Sequence, residues 1–181
     1  GVNYGSPYWE GNSFKVLNPY PQKRHLGIIG PLIKEKNGIW IGIEGSGFVY
    51  YNLQNKSYKH FTLPDISGGN FRTNIVTAFC KDASILYVGT NNGLIAVFDL
   101  TNERIKQIFR VSGERSVMSL GAIGDGSILV GTTGEKSLLR FDKNGKVTDE
   151  FRDAKNNNLR FEFVRSIEKI ADNEFIILTN K

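Results

Sequence analysis

The chain has 181 residues, 40% hydrophobic and 23% charged, with a formal net charge of +5. That length supports one domain with a real core, and the composition excludes a disordered or collagen-like chain. One cysteine (Cys80) and two separated histidines (His25, His60) exclude an internal disulfide and a tetrahedral zinc site.

The elements follow in order. Gly1-Val2-Asn3-Tyr4 opens the chain, and a long connection carrying Tyr8-Trp9 and Tyr20 follows. An apolar run, Ile28 to Ile33, then meets a turn at Lys36-Asn37-Gly38 and a glycine-centred strand, Ile39-Trp40-Ile41-Gly42-Ile43. Gly45-Ser46-Gly47 turns the chain into Phe48 to Tyr51, and Lys59 to Leu63 forms one more short run. The same series returns as Ile75 to Cys80, Asp82-Ala83-Ser84, Leu86-Tyr87-Val88-Gly89-Thr90, Leu94 to Asp99 and Ile105 to Val111. It returns again as Val117 to Ile123, Asp125-Gly126, Ile128 to Thr132, Leu138 to Asp142 and Val147 to Phe151. Half a copy closes the chain: Phe163 to Ile170, Asp172-Asn173 and Phe175 to Asn180, with Leu178 where the glycine stood.

Four short strands recurring every ~45 residues are the signature of a β-propeller blade. No segment keeps a 3.6-residue apolar period long enough for a helix. Asn-Gly and Asp-Gly suit the tight turns because both accept positive φ cheaply. The glycines therefore need no phosphate: a phosphate loop leads into a helix, and here another strand follows. Gly42, Gly89 and Gly131 sit mid-strand, where a side chain would obstruct the neighbouring sheet or the central axis. Trp40 and Tyr87 share a place in the repeat and are expected to pack between blades. Asp99 and Asp142 end equivalent strands and are expected to bond turn amides. Cys80 reads as a small buried hydrophobe.

The repeat resembles that of the two-component regulator propellers, in EKNGIWIGIEGSGFVYYN, CKDASILYVGTNNGLIAVFD and IGDGSILVGTTGEKSLLRFD. The opening GVNY looks like the stretch that follows the "iGT" strand in such sensors. Ile43 departs from the family's Thr, Leu178 from its Gly, and Lys136-Ser137 lengthen one hairpin. The resemblance implies the periplasmic sensor domain of a Bacteroides-type hybrid two-component system, anchored in the inner membrane. In that family, carbohydrate breakdown products sensed outside are coupled to a histidine kinase and a DNA-binding regulator inside. Neither catalytic part is in this chain, and no enzymatic activity and no cofactor are expected.

The expected organisation is a single all-β propeller segment over 1–181. It comprises a half blade (1–22), three blades (26–63, 72–111 and 115–151) and a second half blade (160–181). The halves pair with each other in a four-bladed ring, or the chain is part of a larger propeller of the seven-bladed type. The second case leaves blade faces and strand edges uncovered and predicts a homodimer or a domain-swapped assembly. The sequence has no signal peptide and no apolar stretch of about 18 residues, so no membrane contact by this segment is expected. The densest basic cluster, Lys23-Arg24-His25, is a short loop, and no nucleic-acid partner is expected. Ser46 lies in a hairpin rather than a strand-to-helix elbow, which argues against hydrolase chemistry. An oligosaccharide would dock on exposed rings with polar neighbours: the candidates are Tyr8, Trp9 and Tyr20, with Arg24 for an anionic sugar. Otherwise Tyr8 and Trp9 cap a blade end, and the propeller is a protein-binding scaffold with no small ligand.

Overall fold

The computed structural model describes residues 6–17, 29–43, 47–63, 75–113, 115–134, 137–151 and 163–180. Every regular element among them is a strand, and every pairing is antiparallel. The chain divides into two compact units, 1–76 and 77–181.

The first unit opens with a hairpin of β1 (Ser6–Glu10) and β2 (Ser13–Leu17), in which Tyr8 faces Lys15 and Trp9 faces Phe14. Gly11, at φ +62, makes the tight turn, and Lys15 pairs with Glu10 beside it. A four-stranded sheet follows: β3 (Ile29–Lys34), β4 (Gly38–Ile43), β5 (Gly47–Asn52) and β6 (Tyr58–Phe61), lying side by side in chain order. Ile41, Ile43, Val49 and Tyr51 form its buried core. Trp40 is buried, and its ring meets three rings of its own sheet. It lies 4.9 Å from Tyr50, 5.7 Å from Phe61 and 6.0 Å from Phe48, centroid to centroid. Gly38 serves a purpose that the Asn-Gly turn signal does not convey. Its φ is not positive; a Cβ there would lie 2.4 Å from the Tyr50 ring, so glycine lets the ring cover the backbone.

The second unit carries β7 (Val76–Asp82) from its second residue on, with β8 (Ile85–Thr90), β9 (Leu94–Asp99) and β10 (Arg104–Arg110). The next sheet holds β11 (Val117–Ala122), β12 (Ile128–Thr132), β13 (Leu138–Phe141) and β14 (Val147–Phe151), again in chain order. A two-stranded sheet of β15 (Phe163–Ala171) and β16 (Glu174–Asn180) ends the chain. Burial grades across each sheet. The second strands β8 and β12 are buried almost throughout, whereas β14 is exposed along nearly its whole length. Both faces of a second strand are covered, so these strands read as continuous apolar runs rather than alternating ones.

The mid-strand glycines set how closely successive sheets approach. A Cβ on Gly89 would lie 2.5 Å from Val117 Cγ1 of the next sheet, and one on Gly131 would lie 2.6 Å from Val164 Cγ1. Within the first unit, Val76 Cγ1 comes to 3.0 Å of the same point on Gly42. Three first strands, β3, β11 and β15, also shift register, between Ile29 and Leu32, Val117 and Ser119, and Val164 and Ser166. Such bulges bend the strand and increase its twist. Between the second unit's two complete sheets lies one continuous core containing Tyr87, Ile95, Val117, Leu120, Ile128, Val130 and Phe141. Tyr87 thus does pack between blades, and its hydroxyl donates to the Gly126 carbonyl at 3.5 Å.

The turns divide their φ burden unevenly. Gly47, Gly93, Gly126 and Gly134 take positive φ, but so do Ala83 (φ 48) and Asn173 (φ 61). A left-handed alanine carries a steric cost of about 1 kcal/mol that glycine lacks. Ala83→Gly is therefore expected to raise stability by up to about 1 kcal/mol, read from the urea midpoint; an unchanged or lower midpoint contradicts the assigned strain. Gly89→Val is expected to cost about 2–3 kcal/mol by overpacking. Adding Val117→Ala should recover part of that loss in a double-mutant cycle, and strict additivity would show that the two positions do not meet.

Candidate functional site

Two features recur at the strand ends and position the loops. At the close of each third strand an Asx side chain accepts turn amides. Asn52 Oδ1 accepts from Gln54 N (2.9 Å) and Asn55 N (3.3 Å), and Asp99 Oδ1 from Thr101 N (2.8 Å) and Asn102 N (3.1 Å). Asp142 Oδ1 accepts from Asn144 N and Lys146 N, both at 2.9 Å. The Thr after each mid-strand glycine clips the following hairpin: Thr90 Oγ1 accepts from Leu94 N at 2.9 Å, and Thr132 N donates to Ser137 O at 2.6 Å. Ile43, which departs from that Thr, joins the apolar core instead.

Between the outer strands of the second unit's complete sheets lies a cleft of about 320 Å³. Tyr87, Val97 and Phe109 give it an apolar floor on one side, and Lys106 and Gln107 project from β10. Asp142 and Lys143 face them from the turn between β13 and β14. An adjoining polar groove of about 390 Å³ shares Asp142 and Lys143 and continues past Arg140, Asp125 and Asp149. The walls are tied together. Gln107 Nε2 donates to Asn144 O at 2.7 Å, and the Phe109 ring stacks on Phe141 at 5.3 Å. A Cβ on Gly145 would meet the Phe109 ring at 2.7 Å, so that glycine lets the turn close over it.

The charges are largely committed. Lys106 Nζ lies 3.2 Å from Asp99 Oδ2. Arg140 bridges Asp125 (3.2 Å) and Asp149 (3.9 Å), and Ser127 Oγ donates to Asp125. The Asn102 side chain and the turn amides hold the Asp99 carboxyl well below the usual carboxylate range, with help from Lys106. The Ser127 hydrogen bonds and then Arg140 lower Asp125, and the Lys146 backbone N–H foremost lowers Asp142. Burial pushes the Cys80 thiol up to about 11 and raises the Tyr87 hydroxyl as well. Cys80 packs half-buried against the inter-sheet core, as a small apolar side chain would. Among the described residues no three His, Cys, Asp or Glu side chains converge to hold a metal ion.

Of the residues read as sugar contacts, Tyr8 and Trp9 lie in β1, whose backbone pairing is given above; their side chains lie outside the described residues. Tyr20, Arg24 and Ser46 also lie outside them. The inter-sheet cleft was not a sequence expectation. Phe109 and Lys143 are 34 positions apart in the chain, and no local pattern joins them.

Sheets of four antiparallel strands in chain order, stepping at one period, define the all-β class to which the chain belongs: the fold is a β-propeller. The sequence matches no family model and no curated protein. Its structure is similar to the extracellular domain of BT4673 from Bacteroides thetaiotaomicron, described as a one-component system, with a TM-score of 0.72 and 19% identity over 92% of this chain. It is similar to the extracellular domain of BT3049 from the same organism, described as a hybrid two-component system, with a TM-score of 0.73 and 18% identity over 97% of this chain. The chain spans only 22% and 25% of those two chains. The computationally designed Ika4 protein matches at a TM-score of 0.62 and 14% identity, over 86% of this chain and 87% of its own. At these identities the likeness is one of fold.

A carboxylate held below its unfolded value contributes stability above about pH 4, which is lost as pH falls through the folded value. Stability is therefore expected to decline below about pH 4 as Asp99, Asp125 and Asp142 protonate. Asp99→Asn keeps an acceptor for the turn, as Asn52 does, and should make that decline shallower. Urea midpoints between pH 7 and pH 2 check it; an unchanged slope in the variant would remove Asp99 from the account.

Proposed function

We propose that the chain is an extracytoplasmic sensory segment of a two-component signalling protein, exposed to the periplasm in an inner-membrane parent and responding to carbohydrate. The observation that carries this reading is the likeness in fold, over more than nine-tenths of the chain, to extracellular domains of bacterial signalling systems. No helix among the described residues is long and apolar enough to cross a membrane, so the anchor belongs to other parts of the parent.

Two places offer rings beside polar groups. One is the β1–β2 hairpin bearing Tyr8 and Trp9, with Tyr20 and Arg24 following in the chain. The other is the inter-sheet cleft, where Phe109 and Tyr87 lie under Gln107, Lys106 and Lys143. Sugar faces stack on rings, and lysines beside a ring favour uronic or sulfated units. The second reading is a scaffold that binds protein and carries signal without a small ligand of its own.

Isothermal titration against neutral, uronic and sulfated oligosaccharides separates the two readings. Heat from one glycan class supports the sensor. Loss of that heat in Trp9→Ala places the sugar on the hairpin, and loss in Lys143→Ala places it in the cleft. Silence across the panel overturns carbohydrate recognition and favours the scaffold.

A further inference from the structure

The cations around the inter-sheet cleft are not alike. Lys106 Nζ lies 3.2 Å from Asp99 Oδ2, and Arg140 is shared between Asp125 and Asp149. Lys143 lines the same cleft and forms no ion pair or hydrogen bond among the described residues. The one carboxylate in the cleft wall, Asp142, does not take that place. Its Oδ1 accepts the amides of Asn144 and Lys146 inside its own turn, both at 2.9 Å.

The backbone around Lys143 fixes where it stands. Gln107 Nε2 bonds the Asn144 carbonyl at 2.7 Å from the facing strand, and the bare backbone of Gly145 packs on the Phe109 ring. A Cβ on Gly126 would lie 3.3 Å from Lys143 Cβ, so the lysine starts against bare backbone there as well. The Gly126 carbonyl takes the Tyr87 hydroxyl at 3.5 Å, which puts Lys143 at the Tyr87 end of the cleft. Beside it, Ile85, Val97 and Phe109 are partly buried against the inter-sheet core and line the cleft. The volume of about 320 Å³ is at the lower limit of small-molecule sites, room for one small unit. An apolar floor with one uncommitted cation at its end suits a unit that carries one negative charge.

We infer that the cleft binds a ring-bearing monocarboxylate, its carboxylate on Lys143 and its ring against Phe109 and the aliphatic floor. Lys106 is not the partner of the acid, since Asp99 already holds it. Two sources share this chemistry. One is a uronic sugar unit, which rests on the carbohydrate reading proposed above; the other is an aromatic acid, which does not. A lysine–carboxylate pair at an exposed site contributes about 1 kcal/mol at most. The acid is therefore expected to bind about threefold to fivefold more tightly than its neutral analogue, and the gap should shrink as salt is added.

Amide NMR titrations of the isotope-labelled chain test this with two matched pairs of probes, glucuronate against glucose and benzoate against benzyl alcohol. The acids are expected to shift the Gly126, Gly145 and Gln107 side-chain amides, with the threefold to fivefold preference over the neutral probes. Lys143→Gln should abolish that preference, Lys143→Arg should keep it, and Lys106→Gln should leave it unchanged. Glucuronate binding in this pattern supports a uronic ligand and, with it, the sensor reading. Benzoate binding in this pattern without glucuronate supports the acid site and removes carbohydrate from the cleft. Acids and neutral probes that bind alike overturn the inference, as does a preference that survives Lys143→Gln, or a cleft that responds to none of the probes. Glucuronate shifts confined to residues 6–17 put the sugar on the β1–β2 hairpin: the inference then fails while the carbohydrate reading stands.

Discussion

The structure depends on one close approach: a valine at the start of a first strand set against the bare backbone of a mid-strand glycine in the preceding sheet. At Gly89 and Gly131 the gap left by the missing Cβ is the space that Val117 and Val164 occupy. Sheets with full side chains on both inner faces pack about 10 Å apart. Removing one Cβ at the contact lets the inner strands come closer there. The rest of each sheet then follows from strand twist. Strands near the contact are buried on both faces, and strands far from it diverge towards solvent.

That divergence makes the cleft. Val117 and Gly89 hold the inner strands together, whereas β10 and the β13–β14 turn stand apart, with Tyr87 and Phe109 at the bottom of the gap. The polar groups along it are set by turn chemistry. Asp142 is fixed by its own turn amides, so Lys143 and Asn144 are presented in a defined place, and Gln107 reaches across to bond the Asn144 carbonyl. Asp142 is capped by its turn amides, and Lys106 is paired with Asp99.

Edges are managed differently along the chain. β6, β10 and β14 are the outermost strands of their sheets and carry charges that discourage further pairing. β16 has the residues of a strand flanked on both sides, with aliphatic side chains in water at Ile176 and Leu178.

Much of the fold is legible in the residue order. The period, the four runs per unit, the mid-strand glycines and the Asp-capped turns are local patterns, because strand alternation, turn φ and Asx capping are decided within a few residues. The local signals fail where a distant partner sets the outcome. Gly38 looks like a turn glycine, yet it serves the Tyr50 ring. Tyr87 reaches the next sheet, where its hydroxyl bonds the Gly126 carbonyl 39 positions on. Ala83 takes a left-handed turn conformation that its side chain disfavours. By itself the sequence determined which segments are strands and where each turns, since backbone sterics and apolar patterning are short-range. Only the tertiary structure decided which faces meet and where they part to leave a cleft, because those follow from the packing of residues tens of positions apart.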